Sequence, residues 1–284
     1  MKLATIRTTN GTTAARLDGD VAVELPWATD VSALLTDPHW RDRVPTAVGP
    51  RHPIAEVEYA TVVPRPSKVF CVGLNYRSHI AELGLELPAY PVLFAKFADT
   101  LLGPYDVLVL PSASTKIDLE VELGVVIGTR VRHADVDEAD AAIAGYVVAN
   151  DISMRDWQLR TSEWLQGKPF EATTPVGPCL VTPEDVDGAR DLEIWCEVDG
   201  TVRQRSRTSD LLFSPAEIIT YISQISTLYP GDLILTGTPG GVGLARDPQV
   251  YLQPGQVVRS GIEGLGELRN MCVASLPTSA STVA

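Results

Sequence analysis

Short runs rich in β-branched residues recur along the chain from Val69 onward. They are KVFCVGL, PVLFAKF, VLVL, residues 118–127, AGYVVAND, CLVTP, LEIWCEVDG and LILTG. Their length and composition predict strands packed in sheets, not a helical bundle. Ahead of them KLATIR, TAARLD and VAVEL alternate apolar with polar residues. Asn10-Gly11 and Gly19-Asp20 supply the turns between them, the pattern of a small β unit. A polar, proline-containing stretch follows, and VPRPSK at 63–68 marks a boundary. Helical patterns are fewer and fall at 77–84, 135–143, 156–165 and 214–226. The last opens on Ser214-Pro215-Ala216-Glu217, with a cap, a proline at the first helical position and a glutamate at the third. The fold class predicted is α+β and mostly β. A small N-terminal β domain covers 1–65, a larger domain 66–275, and the polar LPTSASTVA at 276–284 is expected to be disordered.

One strand departs from an ordinary alternating pattern. In DLEVELGVVIG, Asp118, Glu120 and Glu122 alternate with Leu119, Val121 and Leu123, so an extended chain aims three carboxylates at one face. A solvated face is the ordinary reading of such a pattern. Exposed edges usually mix signs, however, and this face holds no lysine or arginine. Carboxylates about 7 Å apart along a strand repel each other, and a cation relieves that repulsion. Oxygen ligands without paired histidines or cysteines suit Mg²⁺, Mn²⁺ or Ca²⁺ better than zinc. A further carboxylate could come from GYVVANDISMRDWQ (145–158), an apolar strand ending at Asn150-Asp151 with a helix expected after it. Asp151 alone could equally cap that helix. Arg155 and Gln158 follow one helical turn on, on the same side.

Composition narrows the class. An apolar fraction of 45% with 21% charged residues is that of a soluble globular protein. No apolar run reaches bilayer length, and MKLATIRTTNG lacks a signal core, so a cytoplasmic protein with no membrane partner is expected. Cys71, Cys179, Cys196 and Cys272 lie far apart without a CxxC pair, which argues for reduced thiols and against a cysteine-built zinc site. A net charge of −13 disfavours nucleic acid as a partner.

Five motifs in order carry a resemblance. GLNYRSHIAE (73–82), DLEVELGVVIG (118–128), GYVVANDISMRDWQ (145–158), GKPFEATTPVGP (167–178) and PGDLILTGTPGGVG (230–243) are similar to those of the fumarylacetoacetate hydrolase (FAH) superfamily. The likeness runs from about Lys68 to Arg269 and points to the branch of FAH domain-containing and 2-hydroxyhepta-2,4-diene-1,7-dioate isomerase-like proteins. It implies a mixed β-roll catalytic domain, a homodimer, and one Mg²⁺ or Mn²⁺ per subunit. It makes Glu120, Glu122 and Asp151 the metal ligands, with Asp118 in support behind them. Lys168 becomes a catalytic residue, and Arg155, Gln158 and Thr238 become substrate contacts. TGTPGGVG is no phosphate-binding Walker loop, because no Gly-Lys-Ser/Thr follows its glycines. Those glycines let backbone amides approach an oxygen anion.

His79 and Glu82, three residues apart, share a face of a short helix. The resemblance pairs them as a dyad in which Glu82 orients the imidazole and His79 takes a proton from water. Gly84 to Pro91, rich in glycine and proline, could close over the site. The expected substrate is a small 2-oxo or 1,3-dicarbonyl acid, and the expected reaction is hydrolytic C–C cleavage of an acylpyruvate-like compound through an enolate that the cation and Lys168 stabilise. The same enolate serves an isomerase of an unsaturated dicarboxylate or an oxaloacetate-type decarboxylase. Outside enzymes, a silent metal-binding module or a Ca²⁺-stabilised scaffold would need neither His79 nor Lys168.

Overall fold

A computed structural model describes residues 1–275; the tail expected at 276–284 lies outside the described residues. The chain begins with β1 (Lys2–Thr8), β2 (Gly11–Asp18) and β3 (Val21–Leu25), then α1 (Val31–Leu35), α2 (Trp40–Arg43) and β4 (Arg51–Pro53). Next come β5 (Val69–Gly73), α3 (Arg77–Glu82) and β6 (Val92–Lys96). Three short strands, β7 (Leu101–Leu102), β8 (Leu108–Leu110) and β9 (Ile117–Asp118), precede β10 (Val121–Ile127), α4 (Val136–Ala141) and β11 (Ile143–Asn150). β12 (Ser153–Met154), α5 (Arg155–Gln158), β13 (Thr174–Val181), β14 (Glu193–Val198) and β15 (Thr201–Arg207) follow. The last elements are α6 (Pro215–Ile225), β16 (Leu233–Leu235), β17 (Val257–Ile262) and β18 (Gly266–Ala274).

Two sheets carry the mass of the protein, as an α+β, mostly β fold. The larger is mixed and runs β4-β3-β2-β1-β13-β11-β10-β16-β5-β6, with β7 beside β13. The smaller runs β15-β14-β17-β18-β8. β1 pairs antiparallel with β13, so the N-terminal strands extend the same sheet that holds the motifs. β10 lies between β11 and β16 near the middle of that sheet. Its odd positions, Val121, Leu123, Val125 and Ile127, enter one apolar core. Val126, on the opposite face, enters a second core with Leu34, Val147 and Leu235. Both faces of β10 are therefore covered, and all seven of its residues are buried. The alternation in this strand separates aliphatic from acidic residues, not dry from wet ones.

The helices at 77–84, 135–143 and 214–226 appear within a few residues of their expected bounds, and Ser214 and Glu217 form the capping box. The helix expected at 156–165 does not run through. α5 stops after one turn at Gln158, and the next helical residues are a 3₁₀ turn at Trp164–Gly167. The reason is packing: a Cβ on Gly167 would lie 2.5 Å from Gln158 Cβ, so the chain must double back onto α5. That return places Lys168 inside the molecule, where it is 2% exposed. Helix α5 starts at Arg155, one residue ahead of its expected start, and β12 separates Asp151 from it, so the N-cap position is Met154 and not Asp151.

Truncating a side chain where both cores meet β10 should be felt throughout. Leu123→Ala is expected to lower the unfolding free energy by about 2–5 kcal/mol, because Leu123 is fully buried. Val48→Ala, at a position 89% exposed, should cost under about 0.5 kcal/mol. Urea midpoints for the two variants check the contrast.

Candidate active site

The end of the β10–β11 ladder brings the acids together. Val121 pairs with Asn150 and Glu122 with Ala149, so Asp151 emerges beside Glu120. Its N–H donates to Glu120 O at 2.8 Å. Asn150 fixes the same corner: its Oδ1 accepts from Glu120 N–H at 2.9 Å, and its Nδ2 donates to Ser260 Oγ at 2.9 Å. One carboxylate oxygen from each of Glu120, Glu122 and Asp151 then lies within 4.8 Å of the others, and all three residues are buried. Asp118 is not in this cluster. It accepts Gly243 N–H at 2.7 Å, Leu244 N–H at 3.0 Å and Arg155 Nε at 2.8 Å, which ties the glycine-rich loop to α5.

Three buried cations face these acids. Lys168 Nζ donates to Asp151 Oδ2 at 2.7 Å and to Glu120 Oε2. Lys96 Nζ donates to Asp151 Oδ1 at 2.6 Å. Arg155 donates from Nη2 to Glu120 Oε1 at 2.7 Å and from Nη1 to Gln158 Oε1 at 2.8 Å. Asp118, Glu120 and Asp151 each have a cation, whereas the carboxylate of Glu122 has only Gly237 N–H, at 2.6 Å. The charges respond accordingly. Burial, reinforced by Asp151 and Glu120, pushes the Glu122 carboxyl well above the usual range. Burial also opposes charge on Glu120, but Arg155 and Lys168 outweigh it and hold that carboxyl well below. Lys168 and Arg155 are disfavoured as cations by burial, yet their carboxylate partners keep both above their ordinary values.

This donor set fits a hard divalent cation. The three ligands are all oxygen, they converge, and the one without a counterion is fully buried. A buried carboxylate with no counterion costs on the order of several kcal/mol, and Mg²⁺ or Mn²⁺ held by Glu120, Glu122 and Asp151 would remove that cost.

The other nominated residues surround the same cleft, of about 250 Å³, whose walls include His79, Arg155, Gln158, Lys168 and Thr238 with Glu120 and Glu122. His79, on α3, is 6% exposed, and its Nδ1 lies 3.0 Å from Glu82 Oε2. That leaves Nε2 as the ring nitrogen for proton transfer. Glu82 packs against the glycine-rich loop: a Cβ on Gly240 would lie 2.7 Å from Glu82 Oε2. Thr238 Oγ1 donates to Val121 O at 3.0 Å and accepts from Gln204 Nε2 at 2.8 Å. The amides of the loop do meet oxygen anions, and those anions are the protein's own Glu122 and Asp118. Three residues of the site were not singled out from sequence. Lys96 is one, Gln204 another, and the third is Ser153, whose Oγ donates to Glu120 Oε2 at 3.0 Å. Lys96 had a signal: in VLFAK it shares strand parity with Phe94, a lysine at an otherwise apolar position.

Comparison with known proteins gives the same outline. Residues 68–273 match the fumarylacetoacetate (FAA) hydrolase C-terminal family. The oxaloacetate tautomerase FAHD2A, mitochondrial, of Bos taurus is 47% identical over 223 residues, 78% of this chain and 71% of that protein. The crystal structure of 5-carboxymethyl-2-hydroxymuconate delta-isomerase from Mycobacterium smegmatis superposes with a TM-score of 0.81 at 34% identity, covering 97% of this chain and all of that one. A fumarylpyruvate hydrolase from Pseudomonas aeruginosa, in complex with Mn²⁺ and pyruvate, has a TM-score of 0.67 at 34% identity over 73% of this chain and 90% of its own.

Glu122 gives a test of the metal site. In metal-free buffer the raised Glu122 carboxyl stays protonated, so Glu122→Gln, which exchanges a neutral acid for a neutral amide, should leave stability within about 1 kcal/mol of the parent. Excess Mn²⁺ should raise the parent's melting temperature by mass action and leave the variant's unchanged. Parent and variant responding alike to Mn²⁺ in a thermal scan would sink the assignment of Glu122 as a ligand.

Proposed function

This chain belongs to the fumarylacetoacetate hydrolase family and is an enzyme, and from that premise we propose that it cleaves a carbon–carbon bond of an acylpyruvate-like 2-oxo acid by adding water. The observation that carries the reading is the His79–Glu82 pair, buried at the wall of the cleft that Lys168, Glu120 and Glu122 also line. A base that orients and deprotonates water belongs in a hydrolase; a site that only polarised a carbonyl would not need it.

A divalent cation held by Glu120, Glu122 and Asp151 would supply Lewis-acid charge to the carboxylate and 2-oxo oxygens of the substrate. Lys168, kept cationic by Asp151 and Glu120, adds fixed positive charge where the enolate oxygen develops. His79 Nε2 takes a proton from water while Glu82 holds Nδ1. The water oxygen bonds to the distal carbonyl carbon, the bond between that carbon and C3 breaks, and its electron pair passes into the enolate of pyruvate. The proton on His79 can then return to C3, giving pyruvate and a carboxylic acid. Arg155 and Gln158 stand at the cleft wall to orient the substrate, while Arg155 also holds Glu120 in place.

A second reading keeps every residue and omits the water. The similarity over 223 residues to an oxaloacetate tautomerase favours it. There His79 would only carry a proton to and from C3 of a 2-oxo acid. The two readings separate on acetylpyruvate in deuterium oxide, by following exchange at C3 beside release of acetate. His79→Ala should lose acetate release by roughly a hundredfold or more and still bind oxalate, a compact mimic of pyruvate enolate. Exchange at C3 without acetate release by the parent would decide for the tautomerase. Loss of oxalate binding in His79→Ala would show that the dyad builds the binding site.

We further propose a homodimer, as in the notional family assembly, with exposed Tyr105, Val107, Val109 and Met271 beside the smaller sheet supplying apolar surface for it. Sedimentation should give twice the chain mass at micromolar concentration; a monomer there would count against the pairing.

A further inference from the structure

We infer that the far end of the cleft takes an uncharged, apolar group, so that the acids bound here carry a single carboxylate at the 2-oxo end. This rests on the 2-oxo acid reading above and adds to it the class of substituent. The argument is one of charge. The cations lining the cleft are Arg155 and Lys168. Each is already held by carboxylates of the protein, Arg155 between Asp118 and Glu120 and Lys168 between Glu120 and Asp151. Lys96, behind them, belongs to Asp151. What free positive charge this set can offer lies at the catalytic acids, at one end of the cleft.

The remaining walls are hydrocarbon. Leu74, Leu83, Leu85, Leu159, Trp164 and Val242 line the rest of the cavity. Trp164 is fixed there by design of the backbone. A Cβ on Gly73 would lie 2.2 Å from its ring, so only glycine admits the indole, and Phe94 meets it edge-on at 5.8 Å between centroids. Leu74 is held at φ 54°, in the left-handed region that a leucine adopts only under constraint. Asn75 provides that constraint: its Nδ2 donates to Thr236 O at 2.7 Å and to Phe213 O at 3.0 Å.

Three guanidiniums in neighbouring segments are engaged elsewhere. Arg160 lies over the Trp157 ring at 3.5 Å. Arg246 Nη2 donates to Arg203 O at 2.8 Å and its Nε to Gly241 O at 3.1 Å. Arg77 donates to the carbonyls of Leu211 and Leu212. Beside the lining His79 stands Glu82, an acid and not a cation. A second substrate carboxylate would thus lose its water against leucine and tryptophan with no counterion. An alkyl or aryl end would instead bury apolar surface against them.

The test uses acids of equal shape and unequal charge. With Mn²⁺ present, calorimetry compares 2-oxoglutarate with 5-methyl-2-oxohexanoate, and oxaloacetate with 4-methyl-2-oxopentanoate, beside oxalate. The branched-alkyl member of each pair is expected to bind about tenfold or more tightly, a difference of about 1.4 kcal/mol or more. Leu159→Arg, at an exposed wall position, should bring 2-oxoglutarate to parity or better and leave oxalate within about threefold of the parent. Trp164→Arg repeats the test at a second lining residue. Diacids that bind the parent as tightly as their isosteres would overturn the inference and leave the 2-oxo acid reading standing. Failure of oxalate and of all four acids to bind would overturn both.

Discussion

The site depends on an imbalance of buried charge. At the site four buried carboxylates, Asp118, Glu120, Glu122 and Asp151, meet three buried cations, Lys96, Lys168 and Arg155. The pairings leave Glu122 over, with one backbone N–H and no positive partner. A protein does not bury a lone carboxylate for stability, because the cost of removing its water exceeds what one amide returns. Glu122 is neutralised either by a proton, its carboxyl being pushed well above the usual range, or by a cation drawn to the cluster. The lysines and the arginine then have a second use. They neutralise enough of the cluster that the sheet can fold before a cation arrives, yet not so much that the cluster ceases to attract one.

Neutralisation alone does not make geometry, and here the sheet supplies it. β10 and β11 pair through to Val121 and Asn150, and the N–H of Asp151 closes onto Glu120 O just beyond the last rung. The three ligand residues therefore come from two adjacent strand ends and need no loop to arrange them. Packing on both faces of β10 fixes their directions. The proton-transfer chemistry is placed differently. His79 and Glu82 stand on a short helix outside the sheet, followed by the glycine- and proline-containing stretch whose Leu83 and Leu85 line the cleft. The sheet holds the charged cluster, and a short helix with the stretch after it holds the His79–Glu82 pair and two leucines of the cleft wall.

Much of this was legible in the chain because strand parity is strict. Acids at 118, 120 and 122 cannot face a core and share that face with leucine, so the pattern announced a site before any coordinates. Asp151 at the end of an apolar strand read by itself as a helix cap, and only the family resemblance put it with Glu120 and Glu122, where the structure clusters it. What stayed hidden came from long-range returns. Lys96 reaches Asp151 from 55 residues away, Ser153 reaches Glu120 from 33, and Gln204 meets Thr238 across a separation of 34. No local period encodes such meetings. The helix expected at 156–165 misled for the same reason, since its periodicity is real but Gly167 must pack on Gln158, and tertiary contact overrode local preference.

Asp118 shows how the first and last of those causes act together. On parity alone it belongs with Glu120 and Glu122, yet the strand breaks between β9 and β10, and its carboxylate turns to Gly243 N–H, Leu244 N–H and Arg155 Nε. It thus anchors the glycine-rich loop by its amides and orients the guanidinium whose other nitrogens hold Glu120 and Gln158. Glycine at 243 is required for that approach, because a Cβ there would lie 2.8 Å from Asp118 Oδ1 and 1.8 Å from Val250 O. Through Asp118, the loop that carries Thr238 and contacts Glu82 is coupled to the residue that holds a metal ligand. The row of three acids is therefore one device with two tasks: Glu120 and Glu122 join Asp151 in a cluster of oxygens that could hold a cation, and Asp118 joins the dyad's side of the cleft to that cluster.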